Sequence, residues 1–142
     1  MRSALREVDF WRLLVRVRGL RVRRRLRRLV DARRGERRAA AAVAEQAAAL
    51  ERHTAQRQRV LAFCRPDQGA GRQWHATLRA HDAQTPALHR QLGDAQHAHA
   101  AARHEAGKAL RDWNVERVRH DEAKRRWRAA ATRVASGDRD DG

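Results

Sequence analysis

The chain has 142 residues, 33 Lys+Arg against 17 Asp+Glu, and a formal net charge of +16. About half of its hydrophobic 42% is alanine, aromatics make up 4%, and there is no tyrosine. With few Val and Ile and only two prolines, this composition excludes a layered α/β enzyme or a β-sandwich and favours long helix.

From Leu5 a strict 3,4 heptad frame runs through Val8, Arg12, Val15, Gly19, Val22, Leu26, Leu29, Arg33, Glu36, Ala40, Val43, Ala47, Leu50, Thr54, Arg57 and Leu61 to Cys64, and twelve of these 18 positions are apolar. A rival alternation, Val15-Arg-Val17-Arg, reads as strand but loses phase at Gly19-Leu20. The first helix is therefore expected over about 3–64. At Arg65-Pro66-Asp67-Gln68-Gly69-Ala70-Gly71 a proline and two glycines predict a turn, the tip of a hairpin at 65–71.

A second frame starts at Trp74 and passes through Leu78, His81, Thr85, Leu88, Leu92, Ala95, His99, Ala102, Ala106, Ala109, Trp113, Glu116, His120, Ala123, Trp127 and Ala130 to Val134, with 13 of 18 positions apolar. This second arm is expected over about 72–136, kinked or broken near Thr85-Pro86, where Thr before Pro also resembles a helix start. Gly137 suits a C-terminal cap, and the acidic tail 137–142 opposes the helix dipole and is read as frayed. The expectation is an all-α chain, a long two-helix antiparallel coiled-coil hairpin forming one domain over 1–142. Each arm of some 60 residues would measure about 90 Å. Alanine-rich seams, glycines at 19, 35, 93 and 107, and Arg33, Glu36 and Arg57 on the seam make such a hairpin marginal alone and firmer with a partner.

The charge is uneven. Residues 1–40 carry 15 Arg and four acids, a net +11, and residues 111–137 add +4, whereas residues 41–110 hold +3 and the tail −2. Antiparallel pairing would gather the two basic segments at the end away from the tip. Arg21, Arg24, Arg25 and Arg28 share one helix face, and Arg16, Arg23, Arg27 and Arg34 another. Scattered arginines suit a solvated surface, but nine between Arg12 and Arg28 repel unless an acidic surface or polyanion compensates. Phe10, Trp11, Leu13, Leu14, Val17 and Leu20 crowd the same stretch and exceed one narrow seam. Trp113 and Trp127 are expected to fill the base of the hairpin, leaving Leu13, Val17 and Leu20 exposed beside arginines, as at a protein interface.

Signals for chemistry are weak. None of the successive histidine gaps, from His75–His81 to His99–His104, has the i, i+3 or i, i+4 spacing of a helical metal pair, and Asp94 with His97 is a lone pair. His81, His99 and His120 read as polar breaks that fix register and soften the hairpin near their pKa. Cys64 is the single cysteine, so no intramolecular disulfide forms, and without a pocket or base it reads as structural. Gly69-Ala-Gly71 lacks the Lys-Ser/Thr of a phosphate loop. The reading is non-enzymatic, with no cofactor, no metal and no small-molecule substrate. The start has no apolar signal region, no apolar run exceeds Ala39–Ala44, and a reducing cytoplasm is the expected compartment.

Phe10-Trp-Arg-Leu-Leu-Val-Arg-Val-Arg-Gly-Leu-Arg, running into Arg-rich and then Ala/Glu/Gln-rich helix, resembles the start of FliJ/YscO-type proteins. These are small basic antiparallel coiled coils of flagellar and type III secretion export machines, including the Hrp systems. The likeness is one of pattern over the whole chain; scarce lysine and a His-rich second arm depart from it. It implies a central stalk lodged in a hexameric secretion ATPase, contact with the export gate protein, and escort of secretion chaperones. Such a protein works in the cytoplasm at the inner-membrane apparatus. On this chain Leu13, Val17, Leu20, Arg21, Arg24 and Arg28, with Arg125, Trp127 and Arg128 opposite, would face the ATPase. Leu50, Leu61, Trp74 and Leu78 would belong to the gate-facing tip half. The competing readings are a nucleic-acid-binding basic coiled coil, which lacks interleaved aromatics and any recognised motif, and a generic coiled-coil adaptor or chaperone.

Overall fold

A computed structural model describes residues 2–63 and 71–140, with side chains as far as 137. It contains two helices, α1 (Arg2–Phe63) and α2 (Gly71–Asp140). Cys64 and the tip at 65–70 lie outside the described residues; Gly71, expected in the turn, is already helical. The chain divides into two compact units, Met1–Arg33 with His104–Gly142 (unit 1) and Arg34–Arg103 (unit 2).

Pairing is antiparallel in both units. In unit 1, Glu7 binds Arg133 at 2.8 Å, Gly19 lies against His120 and Arg25 meets Asp112 at 3.5 Å. In unit 2, His53 bonds Thr85, Arg57 bonds Asp82, and Phe63 stacks on Trp74. The all-α, two-helix antiparallel fold read from the heptad frames is the one observed.

Helix α2 follows its frame throughout. All 18 positions from Trp74 to Val134 are buried or half-buried, Trp113 and Trp127 among them. Helix α1 departs from its frame at seven positions, while Gly19 and Ala47 stay half-buried on it. Leu5, Arg12, Leu26, Arg33, Ala40, Thr54 and Leu61 are exposed, and the inward row is Val8, Trp11, Val15, Arg18, Val22, Arg25, Leu29, Ala32, Glu36, Ala39, Val43, Gln46, Leu50, His53, Arg57 and Val60. The two rows share Val8, Val15, Val22, Leu29, Glu36, Val43, Leu50 and Arg57 and differ by one residue between them. The alanines of α2 leave room for large partners, and the apolar stems of Arg18 and Arg25 cover that surface; the Arg25 head reaches Asp112, whereas the Arg18 Nε is buried without a hydrogen-bond partner.

At the breaker residues the structure decides against a break at Thr85-Pro86 and against the cap expected at Gly137. α2 is continuous through Pro86, which removes one ladder hydrogen bond. Tertiary contacts hold the turn before the proline, through Asp82 and Thr85 to α1. The C-terminal end also differs: α2 runs past Gly137 to Asp140, and no described glycine has a positive φ, so Gly137 does not cap the helix.

The core is thin. Among the described residues Leu29, Ala106, Ala123 and Ala130 are the buried apolar ones, all in unit 1, and His53 and Glu116 the buried polar ones. Gly19 serves a close approach, since a Cβ there would stand 3.2 Å from His120 Nε2. Gly35 and Gly93 have nothing within 4 Å of a Cβ. Gly35→Ala and Gly93→Ala are therefore expected to stabilise unit 2 by about 1 kcal/mol each. Urea denaturation followed by circular dichroism checks this; an unchanged midpoint would mean these glycines have a packing role.

Candidate partner-binding surface

Unit 1 holds 22 Lys+Arg against 11 Asp+Glu, a net +11, and unit 2 holds 11 against six, a net +5. Unit 1 also carries most of the exposed large apolar residues. Leu13 is 62% exposed, Phe10 57%, Leu20 55% and Val17 37%, with Leu5, Leu26, Val30, Val115 and Val118 also exposed. Trp11 and Leu14, from the same crowded stretch, turn inward. One helix cannot bury apolar residues on all sides against a single partner helix, and the surplus stays in water.

Arg21, Arg24, Arg25 and Arg28 line an open cleft of about 230 Å³ with Glu116 as its one carboxylate. The helical spacing puts four guanidinium groups on one wall. Arg25 reaches Asp112, whereas Arg21, Arg24 and Arg28 have no ion-pair partner among the described residues. Glu116 is 7% exposed; Arg119 stands 3.7 Å from its Oε1, and its Oε2 has no hydrogen-bond partner. A cleft with this lining can take carboxylates or phosphates as bidentate partners.

The arginines expected opposite are arranged differently. Arg125 bonds Glu122 at 2.8 Å and Arg126 bonds the same carboxylate at 3.0 Å, which holds Glu122 below the usual carboxylate range, chiefly through the Arg126 hydrogen bond. Arg128 is exposed and Trp127 is half-buried on the inward row. Arg126, which the sequence did not single out, lies 5.2 Å over the Trp11 ring. Trp11, Leu14 and Val118 with Arg18, Arg125 and Arg126 border a second, mainly apolar groove of about 420 Å³. The offset of seven residues between Trp11 and Arg18, two helical turns, was visible in the sequence; the approach of Arg126 was not.

In unit 2, Leu50 and Leu78 are half-buried, Leu61 is 43% exposed, and Trp74 is half-buried under Phe63, with ring centroids 6.3 Å apart. The centre of this unit is polar. His53, 8% exposed, stacks on His81 with centroids 3.6 Å apart, and its Nε2 lies 2.9 Å from Thr85 Oγ1. His81 Nε2 donates to the His53 carbonyl at 2.8 Å, and Arg57 donates to Asp82 at 2.8 Å. Burial and the neighbouring His81 push the His53 pKa below its ordinary value. Sequence reading found His81 but put Thr54, one residue along, on the inward row.

Among the described residues no group of three His, Cys, Asp or Glu could hold a metal ion, and no helix is long and apolar enough to cross a membrane. The chain matches no family model, no curated protein and no solved structure.

Proposed function

We propose that this chain is a non-enzymatic central-stalk and escort component of a bacterial type III secretion or flagellar export apparatus. In this reading the cationic unit 1 binds the hexameric secretion ATPase, and unit 2 is the half that meets the export gate protein. One observation carries it. Exposed Leu13, Val17 and Leu20 share a helix segment with Arg21, Arg24 and Arg28, which have no ion-pair partner among the described residues. Apolar residues left in water beside uncompensated like charges are costly unless a partner covers both, and an acidic protein surface does so. The resemblance to FliJ/YscO-type stalks supplies the kind of partner, a ring whose pore receives a two-helix end. Work at the cytoplasmic face of the inner membrane, through peripheral contact with the export machinery, belongs to the same reading, as does contact with secretion chaperones.

The test is ATPase stimulation and co-sedimentation with the secretion ATPase of the same organism. Wild-type protein is expected to stimulate turnover, and the triple change Arg21→Glu, Arg24→Glu, Arg28→Glu to abolish it, because three reversals turn attraction into repulsion. The arginine-lined cleft also favours a second reading, nucleic-acid binding. No ATPase association combined with duplex binding that falls steeply with salt would replace the stalk by that reading.

A further inference from the structure

The inward row of α1 in unit 1 runs Val8, Trp11, Val15, Arg18, Val22. Two residues further on from each lies a second row with the same alternating spacing: Phe10, Leu13, Val17, Leu20, Arg24. A step of two residues turns a helix by about 200°, so this row faces away from α2. Arg6 extends it at the other end. The row therefore reads Arg6, Phe10, Leu13, Val17, Leu20, Arg24, four exposed apolar side chains between two arginines without ion-pair partners among the described residues.

We propose that this outward row is the seat of a third helix, supplied by a partner protein, with its own 3,4 apolar row and acidic flanks. The proposal rests on unit 1 being the partner-binding end and adds what kind of element binds there. The spacing selects a helix: a 3,4 row one residue wide matches the apolar seam of a second helix and not a loop or strand. The charge selects its chemistry. Unit 1 carries a net +11, and arginines close both ends of the row, so a helix with Glu or Asp at its flanks gains where a basic one is rejected. The acids beside the row are already held, Glu7 by Arg133 at 2.8 Å and Asp9 by Arg12 at 2.9 Å. A second copy of the chain would bring another +11 against the first. An anionic lipid surface offers the charge but wants a broad apolar face, and this one is a single row.

The probe is a labelled helical peptide of about three heptads with leucine at the 3,4 positions and glutamate at the flanks, its binding read by fluorescence anisotropy. A lysine-flanked peptide of the same row and vesicles of phosphatidylserine with phosphatidylcholine serve as the comparisons. The glutamate peptide is expected to bind at least about tenfold more tightly than the lysine peptide, and Leu13→Ser with Leu20→Ser to abolish binding. Arg6→Glu with Arg24→Glu should reverse the peptide preference. All four positions are exposed, so helicity by circular dichroism should not change. No binding of the glutamate peptide, binding that survives Leu13→Ser with Leu20→Ser, or row-dependent binding to vesicles instead would each overturn the proposal. The outcomes separate from the stalk reading: peptide binding without ATPase stimulation sinks the stalk and keeps the seat, and stimulation without peptide binding does the reverse.

Discussion

Ala130→Glu should destroy the pairing in unit 1, whereas Ala129→Glu should leave it intact. Ala130 is 1% exposed, and Ala129, the residue before it on the same helix, is exposed. A carboxylate forced into the first site loses its hydration with no prepared partner, at a cost of about 3 kcal/mol or more. A protein with four buried apolar side chains among its described residues has little margin to absorb that. The exposed change is expected to stay within about 0.5 kcal/mol. Thermal melts of the two variants by circular dichroism check the pair. Equal melting would mean that the alanine row of α2 is not a packed interface, and Ala123, 2% exposed, offers the same contrast.

Unit 2 is expected to weaken on acidification. His53 is buried against His81 and close to Asp82 and His89 on α2, with Arg57 on its own helix bonded to Asp82. Desolvation is the largest cause of its lowered pKa, followed by His81; Asp82 opposes them and His89 adds to them. A histidine with a folded pKa below its ordinary 6.5 binds fewer protons folded than unfolded. Stability is then fully present above that value and is lost as pH falls below it. Asp82 acts at lower pH. The Arg57 hydrogen bond lowers its pKa from 3.8, so its contribution is present above that value and is lost on further acidification. Denaturation midpoints at pH 8 and pH 5 should show the first effect, and His53→Gln should flatten it because an amide keeps polarity without titrating. Proton titration of the His53 ring by NMR gives the direct readout. A midpoint as high at pH 5 as at pH 8 would show that the stacked pair does not govern stability.

The two helices differ in how much of their packing could be read in advance. α2 has one apolar row, and its 18 frame positions all turn inward. The large surface residues on its other faces are mostly charged, so periodicity alone identifies the buried side. The separation of charge was equally legible, since a count of arginines needs no coordinates. The candidate residues Leu13, Val17 and Leu20 could be recognised as surplus because one seam cannot hold every apolar residue between Leu5 and Leu29.

Tertiary structure decided the face of α1 that pairs. Val8, Val15, Val22 and Leu29 belong to two possible rows, one through Arg12, Gly19 and Leu26 and one through Trp11, Arg18 and Arg25. The first looks better by hydropathy. The second forms because α2 opposes it with small side chains, so bulk and long aliphatic stems fit there, and because Asp112 stands within reach of Arg25. Such complementarity involves residues about 90 positions apart and leaves no trace in the period of either helix. The same rotation brings His53 instead of Thr54 against His81 and turns Phe10, Leu13, Val17 and Leu20 outward. Amphipathic pattern selects the helix and its approximate face, but packing volume and charge across the interface select the exact one.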